Sequence, residues 1–162
     1  MPQLIGAIKN DDIETMCAYI SKGASLRNGI ITALCREKDK CLRVLLETAT
    51  APIEPSCFDW WVCTFNSFAE PDYLAQNTEH FELLSMLISK SAPLTDSTEA
   101  MTTLAERVSA PNAAQEQLWE IIHQALQNGA PAAVYSHTTG ETLPEIATRQ
   151  GNTTALAFLQ AR

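Results

Sequence analysis

A repeated spacing limits the folds open to this chain. The interval from Ala7 to Gly23 is the same as the interval from Ala33 to Ala49. Ala7 and Ala33 each stand three positions after a large apolar residue, a spacing that places both side chains on one face of a helix. Because a small side chain lets a neighbouring helix approach closely, this pattern predicts repeated pairs of stacked helices.

Four segments share an apolar helical run that ends in a small residue and an Ala- or Pro-containing turn: 17–26, 43–53, 85–94 and 123–134. Gly23 and Gly129 stand where a helix is ended by a left-handed residue, and Ala49 and Ser91 replace glycine in the other two copies. The sequence shows no alternating strand pattern. The pattern predicts an all-α chain with helices near 2–9, 13–21, 29–36, 39–48, 57–66, 78–90, 97–108, 112–127, 142–149 and 152–160, and with N-caps at Asp11, Asp39, Asn77, Asp96 and Asn152.

The last repeat carries the most specific motif. Residues 140–147, GETLPEIA, are similar to the G-x-T-P-L-H-x-A of ankyrin repeats, with Leu and Pro exchanged and Glu in place of His. Residues 129–131, Gly-Ala-Pro, resemble the Gly-Ala-Asp of that family. The resemblance implies an ankyrin-type helical-hairpin solenoid of about five units that fills a single domain, 1–162. A tetratricopeptide-like array is the alternative helical solenoid.

The third and fourth units depart from the repeat spacing. The interval from Cys63 to Ser91 is much longer than the one shared by the first two units, and the interval from Ala105 to Gly129 is also longer. The third and fourth units are therefore expected to be enlarged, with an insertion near 66–78 in the third.

The charge is uneven along the chain. Residues 1–54 hold seven basic and seven acidic residues, whereas residues 55–162 hold four basic and twelve acidic residues and so carry the whole net charge of −8. An acidic body argues against nucleic acid and anionic membranes as partners. It is compatible with another protein that has a basic surface, and it also serves solubility.

Cysteine and histidine are not grouped as metal ligands. The five cysteines lie at 17, 35, 41, 57 and 63, without a histidine at ligand spacing, so reduced, mostly buried thiols are the simpler interpretation. The sequence has no phosphate-binding glycine loop or zinc-protease motif. We therefore predict no metal site, no cofactor and no catalytic residues, and a cytoplasmic location, because the N-terminal segment does not resemble a signal peptide.

The stretch 58–81 holds seven of the eleven aromatic residues. Aromatic side chains with acids beside them on an irregular loop are typical of a protein-binding hot spot. The alternative is that the loop folds back and its aromatics cover the longer third unit. On the first interpretation, with Trp60 as the core position, the partner-binding residues are Asp59, Trp61, Phe65, Phe68, Glu70, Asp72 and Tyr73, joined by Tyr135 and His137 at the turn before the last unit.

These observations predict a protein-protein interaction module rather than an enzyme. The leading hypothesis is that it inhibits or neutralises its partner, as immunity proteins and antitoxins do. The alternatives are a secreted bacterial effector or adaptor that binds a host protein, and an enzyme on a helical scaffold.

Overall fold

A computed structural model describes residues 2–161. Within that range the protein is all-helical, which confirms the predicted all-α class, and its only β-type pairings are two isolated bridges. The helices are α1 (Pro2–Lys9), α2 (Ile13–Ser21), α3 (Leu26–Cys35), α4 (Asp39–Thr48), α5 (Pro55–Cys63), α6 (Tyr73–Gln76), α7 (Thr78–Lys90), α8 (Thr98–Ser109), α9 (Gln115–Gln127), α10 (Leu143–Arg149) and α11 (Thr153–Gln160), with a 3-10 turn at Asn66–Ala69.

The helices form two contacting layers. They associate in five pairs within the described chain: α1 with α2, α3 with α4, α5 with α7, α8 with α9, and α10 with α11. The first members contact one another in the order α1, α3, α5, α8, α10, and the second members in the order α2, α4, α7, α9, α11. Their buried side chains make one hydrophobic core. No helix between residues 2 and 161 is long and apolar enough to cross a membrane.

The small residues of the repeat pattern lie where the pattern predicts. Ala7, Ala33, Ala105 and Ala147 are buried, as expected for positions at which helices approach closely. The third unit differs. Cys63, from which its spacing was counted, is exposed and ends α5, so it is not a packing position like the alanines of the other units.

The predicted helix bounds agree with the structure to within a few residues. The largest differences are equal in size: α3 begins at Leu26, α5 ends at Cys63 and α9 begins at Gln115. The 3-10 turn and α6 were not expected, because they belong to the insertion of the third unit.

Only some of the N-cap residues predicted from the sequence cap a helix in the structure. The side chain of Asn152 accepts a hydrogen bond from the Ala155 amide, as predicted for a cap of α11. Asp12, rather than Asp11, caps α2, and Asp11 itself adopts a positive φ of 56°. The first residue before α8 is Ser97, not Asp96, and Asp39 is already inside α4. Asn77 stands before α7 but makes no capping hydrogen bond with its side chain.

The C-terminal ends of the second-layer helices are closed in two ways. Gly23 and Gly129 have φ of 99° and 88°, which confirms the predicted left-handed caps after α2 and α9. Helices α4 and α7 end without glycine, and the next unit supplies the donors instead. Lys90 Nζ donates to the carbonyls of Leu46 and Glu47, and Asn128 Nδ2 donates to those of Ile88 and Ser91. Neighbouring units are therefore joined by hydrogen bonds as well as by apolar packing.

Candidate functional site

The insertion of the third unit folds back onto the core. The side chains of Trp61, Phe68 and Tyr73 are 0%, 3% and 3% exposed. In this conformation they cannot serve as exposed anchors for a partner. The prediction that these three residues bind a partner therefore gives way to the alternative, in which they cover the core of the third unit. The physical reason is that the long connection from α5 to α7 leaves apolar surface that the aromatics of the loop remove from water.

A chain of buried hydrogen bonds fixes this cover. Trp61 Nε1 donates to the Tyr73 hydroxyl at 3.0 Å, the Tyr73 hydroxyl lies 2.7 Å from His80 Nδ1, and His80 Nε2 lies 2.7 Å from Asp39 Oδ1. The Asp39 carboxylate can only accept, so His80 Nε2 donates to it. In the neutral imidazole Nδ1 is then an acceptor, and the Tyr73 hydroxyl donates to it while accepting from the Trp61 indole. Every polar group in the chain is satisfied, which is what a buried network requires.

The other predicted residues near the insertion are dispersed. Phe65 is half-buried and stacks on Trp60 with ring centroids 6.1 Å apart. Trp60 is partly exposed and Trp61 is buried, whereas Trp60 was the one predicted to lie in the core. Glu70 is exposed on the loop, and Asp72 is partly buried and accepts a hydrogen bond from Gln76.

Asp59 lies on α5, away from the insertion. Burial raises the pKa of its carboxyl group, and the charges of Glu99 and Asp96 add to the shift. Asp59 therefore does not belong to one exposed surface with Glu70 and Asp72.

The turn before the last helix pair is the exposed aromatic feature. Tyr135 is 54% exposed, and its ring lies against that of His137 with centroids 5.4 Å apart. Tyr135 and Thr142 form an antiparallel bridge, and the Ser136 amide donates to the Glu141 carbonyl at 2.8 Å. We call residues 135–142 the Tyr135 turn.

A carboxylate from α8 holds the tip of the Tyr135 turn. Glu106 accepts hydrogen bonds from the His137 and Thr138 amides and from the Thr138 hydroxyl, the last at 2.6 Å. Burial raises the pKa of Glu106, but the bonds from Thr138 and His137 outweigh it and leave the pKa below its usual value. The turn is thus attached to a rigid helix by a charge-assisted clamp.

A second attachment lies at the other end of the Tyr135 turn. Arg149 forms a two-pronged ion pair with Glu141, at 2.8 and 2.9 Å, and also donates to the carbonyl of Ser109. Thr142 and Glu145 form a reciprocal capping box at the start of α10.

The sequence predicted Tyr135 and His137 as binding residues but not the residues that position them. The Thr-x-x-Glu spacing from 142 to 145 is a local signal for the capping box and could have been used. Glu106 and Arg149 gave no such signal, because Glu106 is 31 and 32 residues from the groups it binds.

A small cavity lies beside the Glu106 clamp. Its volume is about 120 Å³, and it lies between the insertion of the third unit and the connection from α8 to α9. Glu106 lines this cavity and also binds the Tyr135 turn, so the two features adjoin.

Two of the cysteines, Cys41 and Cys57, are buried. Burial raises the pKa of Cys57 to about 12 and also raises that of Cys41. Between residues 2 and 161, no three His, Cys, Asp or Glu side chains are grouped as a metal site would require.

Comparison of the chain with protein-family models, with curated proteins and with solved structures found no match. The candidate site is accordingly the Tyr135 turn and the surface around it, defined by geometry alone.

Proposed function

We propose that this chain is an ankyrin-type solenoid that binds another protein through the Tyr135 turn. The observation that carries the proposal is that a large aromatic side chain, Tyr135, is 54% exposed on a turn that the Glu106 carboxylate clamps to α8. The ordered pairing of successive helices supports the solenoid assignment, since each helix pair packs mainly on its neighbours.

An aromatic side chain on a turn whose backbone is held in place is a favourable anchor for a partner. Tyrosine offers a large apolar ring with a polar tip, and it loses little conformational freedom when it binds. The backbone of the Tyr135 turn is already held by its own hydrogen bonds and by Glu106, so binding incurs little ordering cost.

The charge of the chain indicates the kind of partner. The net charge of −8 favours association with a protein that carries a basic surface around an apolar pocket for Tyr135. Covering a basic functional surface would block it, which is why we favour an inhibitory or neutralising role over a purely adaptor role.

The experiment compares Tyr135→Ser with Ile5→Ser. These positions are the two large hydrophobic side chains of the described chain that are exposed, so each variant removes an apolar group from the surface. A partner is first captured from cells with the wild-type chain and purified, and affinities are then measured by calorimetry. Tyr135→Ser should weaken binding about 30-fold, equivalent to about 2 kcal/mol, whereas Ile5→Ser should bind normally.

Both variants should unfold at the wild-type denaturant concentration. Equal affinity of all three proteins would place the interface elsewhere. Activity of the captured partner, assayed with and without the chain, tests the inhibitory role separately. An unchanged activity in the saturated complex would favour an adaptor or effector role.

A further inference from the structure

The cavity beside the Glu106 clamp has apolar walls and a charged rim. Its apolar lining comes from both the insertion and the connection between α8 and α9, and includes Phe68, Pro71, Leu74, Pro111 and Leu118. Apolar walls with a few polar groups at the edge are the usual lining of a site for a small molecule.

Arg107 is the unusual residue of this rim. In the part of residues 55–161 that the structure describes, Lys90 binds the end of α4 and Arg149 pairs with Glu141, but the Arg107 guanidinium makes neither a hydrogen bond nor an ion pair. Its Nε is buried without a partner. A buried donor without an acceptor is costly, and here it remains unpaired although this half of the chain is strongly acidic.

The neighbouring polar groups are already satisfied. Glu106 is occupied by the amides and the hydroxyl of the Tyr135 turn. The Asn112 amide donates to the carbonyls of Arg107 and Ala110, and its oxygen accepts from the Ala114 amide. Arg107 is therefore the group in this rim that still lacks a hydrogen-bond acceptor.

We propose that this cavity binds a small monocarboxylate with an apolar body, whose carboxylate pairs with Arg107. A guanidinium matches a carboxylate with two parallel hydrogen bonds, which a neutral acceptor cannot provide as well. The volume of about 120 Å³ limits the apolar body to roughly the size of a benzene ring or a branched four-carbon chain. This proposal is independent of the binding of a protein partner.

The remaining acids set the charge selectivity of the site. Glu106 keeps its charge, because hydrogen bonds from amides stabilise a carboxylate without neutralising it. Glu70 is exposed at the rim. With two carboxylates beside one guanidinium, the rim disfavours a dianion more strongly than a monoanion. Glu70→Gln should therefore strengthen carboxylate binding a few-fold.

The first test titrates the intact chain with benzoate and isovalerate and with the matching neutral amides, benzamide and isovaleramide. Binding is followed by NMR on the methyl groups of Leu74 and Leu118, which line the cavity. We expect one of the two acids to bind with a dissociation constant of roughly 1 mM, as is typical of ligands this small, and its amide to bind at least tenfold more weakly. Equal binding of acid and amide, or no shift with either acid at about 20 mM, would overturn the proposal.

The second test uses three variants in the same titration. Arg107→Gln should lower the affinity for the acid at least tenfold, whereas Arg36→Gln, at an exposed arginine of the first half, should not change it. Ala110→Leu adds bulk at an exposed position of the cavity mouth and should also weaken binding. Unchanged affinity in Arg107→Gln would overturn the proposal, and the comparison of acid with amide in the wild-type chain stands even if a variant fails to fold.

Discussion

The hydroxyl of Tyr73 joins two parts of the third unit that are far apart in the repeat pattern. It accepts from Trp61 of α5 and donates to His80 of α7, and His80 in turn reaches Asp39 of the preceding unit. Burial raises the pKa of Tyr73 well above its usual value, so the hydroxyl stays protonated and remains a donor. One side chain from the insertion thereby secures the packing of two units.

Replacing Tyr73 by Phe should therefore destabilise the protein by about 1–3 kcal/mol. The change keeps the ring but leaves the Trp61 indole and His80 Nδ1 without partners in a buried site. Denaturant unfolding measures the loss. Tyr135→Phe, which removes a hydroxyl from an exposed ring, is the matched control and should be neutral. Equal midpoints for the two variants would show that the buried chain contributes nothing.

At single positions, the sequence predicted those features that depend on residues close by along the chain. The left-handed Gly129 and the capping Asn152 follow from local backbone geometry. Which of Trp60 and Trp61 enters the core depends on how the insertion returns to α5, and no local pattern records that path. The same holds for Glu106, whose hydrogen-bond donors come from another unit.

At the level of elements, helix ends depend on the unit that follows. Helices α4 and α7 lack the glycine that closes α2 and α9, and Lys90 and Asn128 of the next unit bind their free carbonyls. The sequence predicted where these helices end but not how, because the donor is about 40 residues away. Ala49 and Ser91 can replace glycine after the two helices because the hydrogen-bond donor for the free carbonyls comes from the following unit.

Asn128→Ala should cost about 1–2 kcal/mol, because two carbonyls at the end of α7 lose a donor in a partly buried position. Gln127→Ala, at the exposed neighbouring position, serves as the control and should change stability by less than about 0.5 kcal/mol. Hydrogen exchange at the last turn of α7 gives the local readout. Unaltered exchange there in Asn128→Ala would mean that water replaces the amide without loss.

For the whole molecule, the burial of the small residues of the repeat is the part of the architecture that the sequence predicted best. Ala33 is fully buried on α3, whose neighbours in the first layer are α1 and α5. The enlarged third unit was predicted from its spacing, but the path of its insertion was not. The helices pair in this order because each unit buries its apolar surface only against the neighbouring units.

Ala33→Leu should lower the stability of the whole array by about 1–3 kcal/mol, because the added atoms force α3 away from its neighbours. Ala18→Leu, at an exposed position of α2, is the control and should be close to neutral. The measurement is the free energy of unfolding from denaturant titration. A wild-type value for Ala33→Leu would refute the assigned register of the stacked helices.

The dependence of helix ends on the following unit also has a consequence in time. Lys90 stands 44 residues after Leu46, whose carbonyl it binds. A ribosome that adds about 5–20 residues per second needs roughly 2–9 s to make that interval. During that delay the end of α4 is already synthesised but its carbonyls are bound only by water. Each such helix end in the nascent chain is therefore completed only after the following unit has been translated.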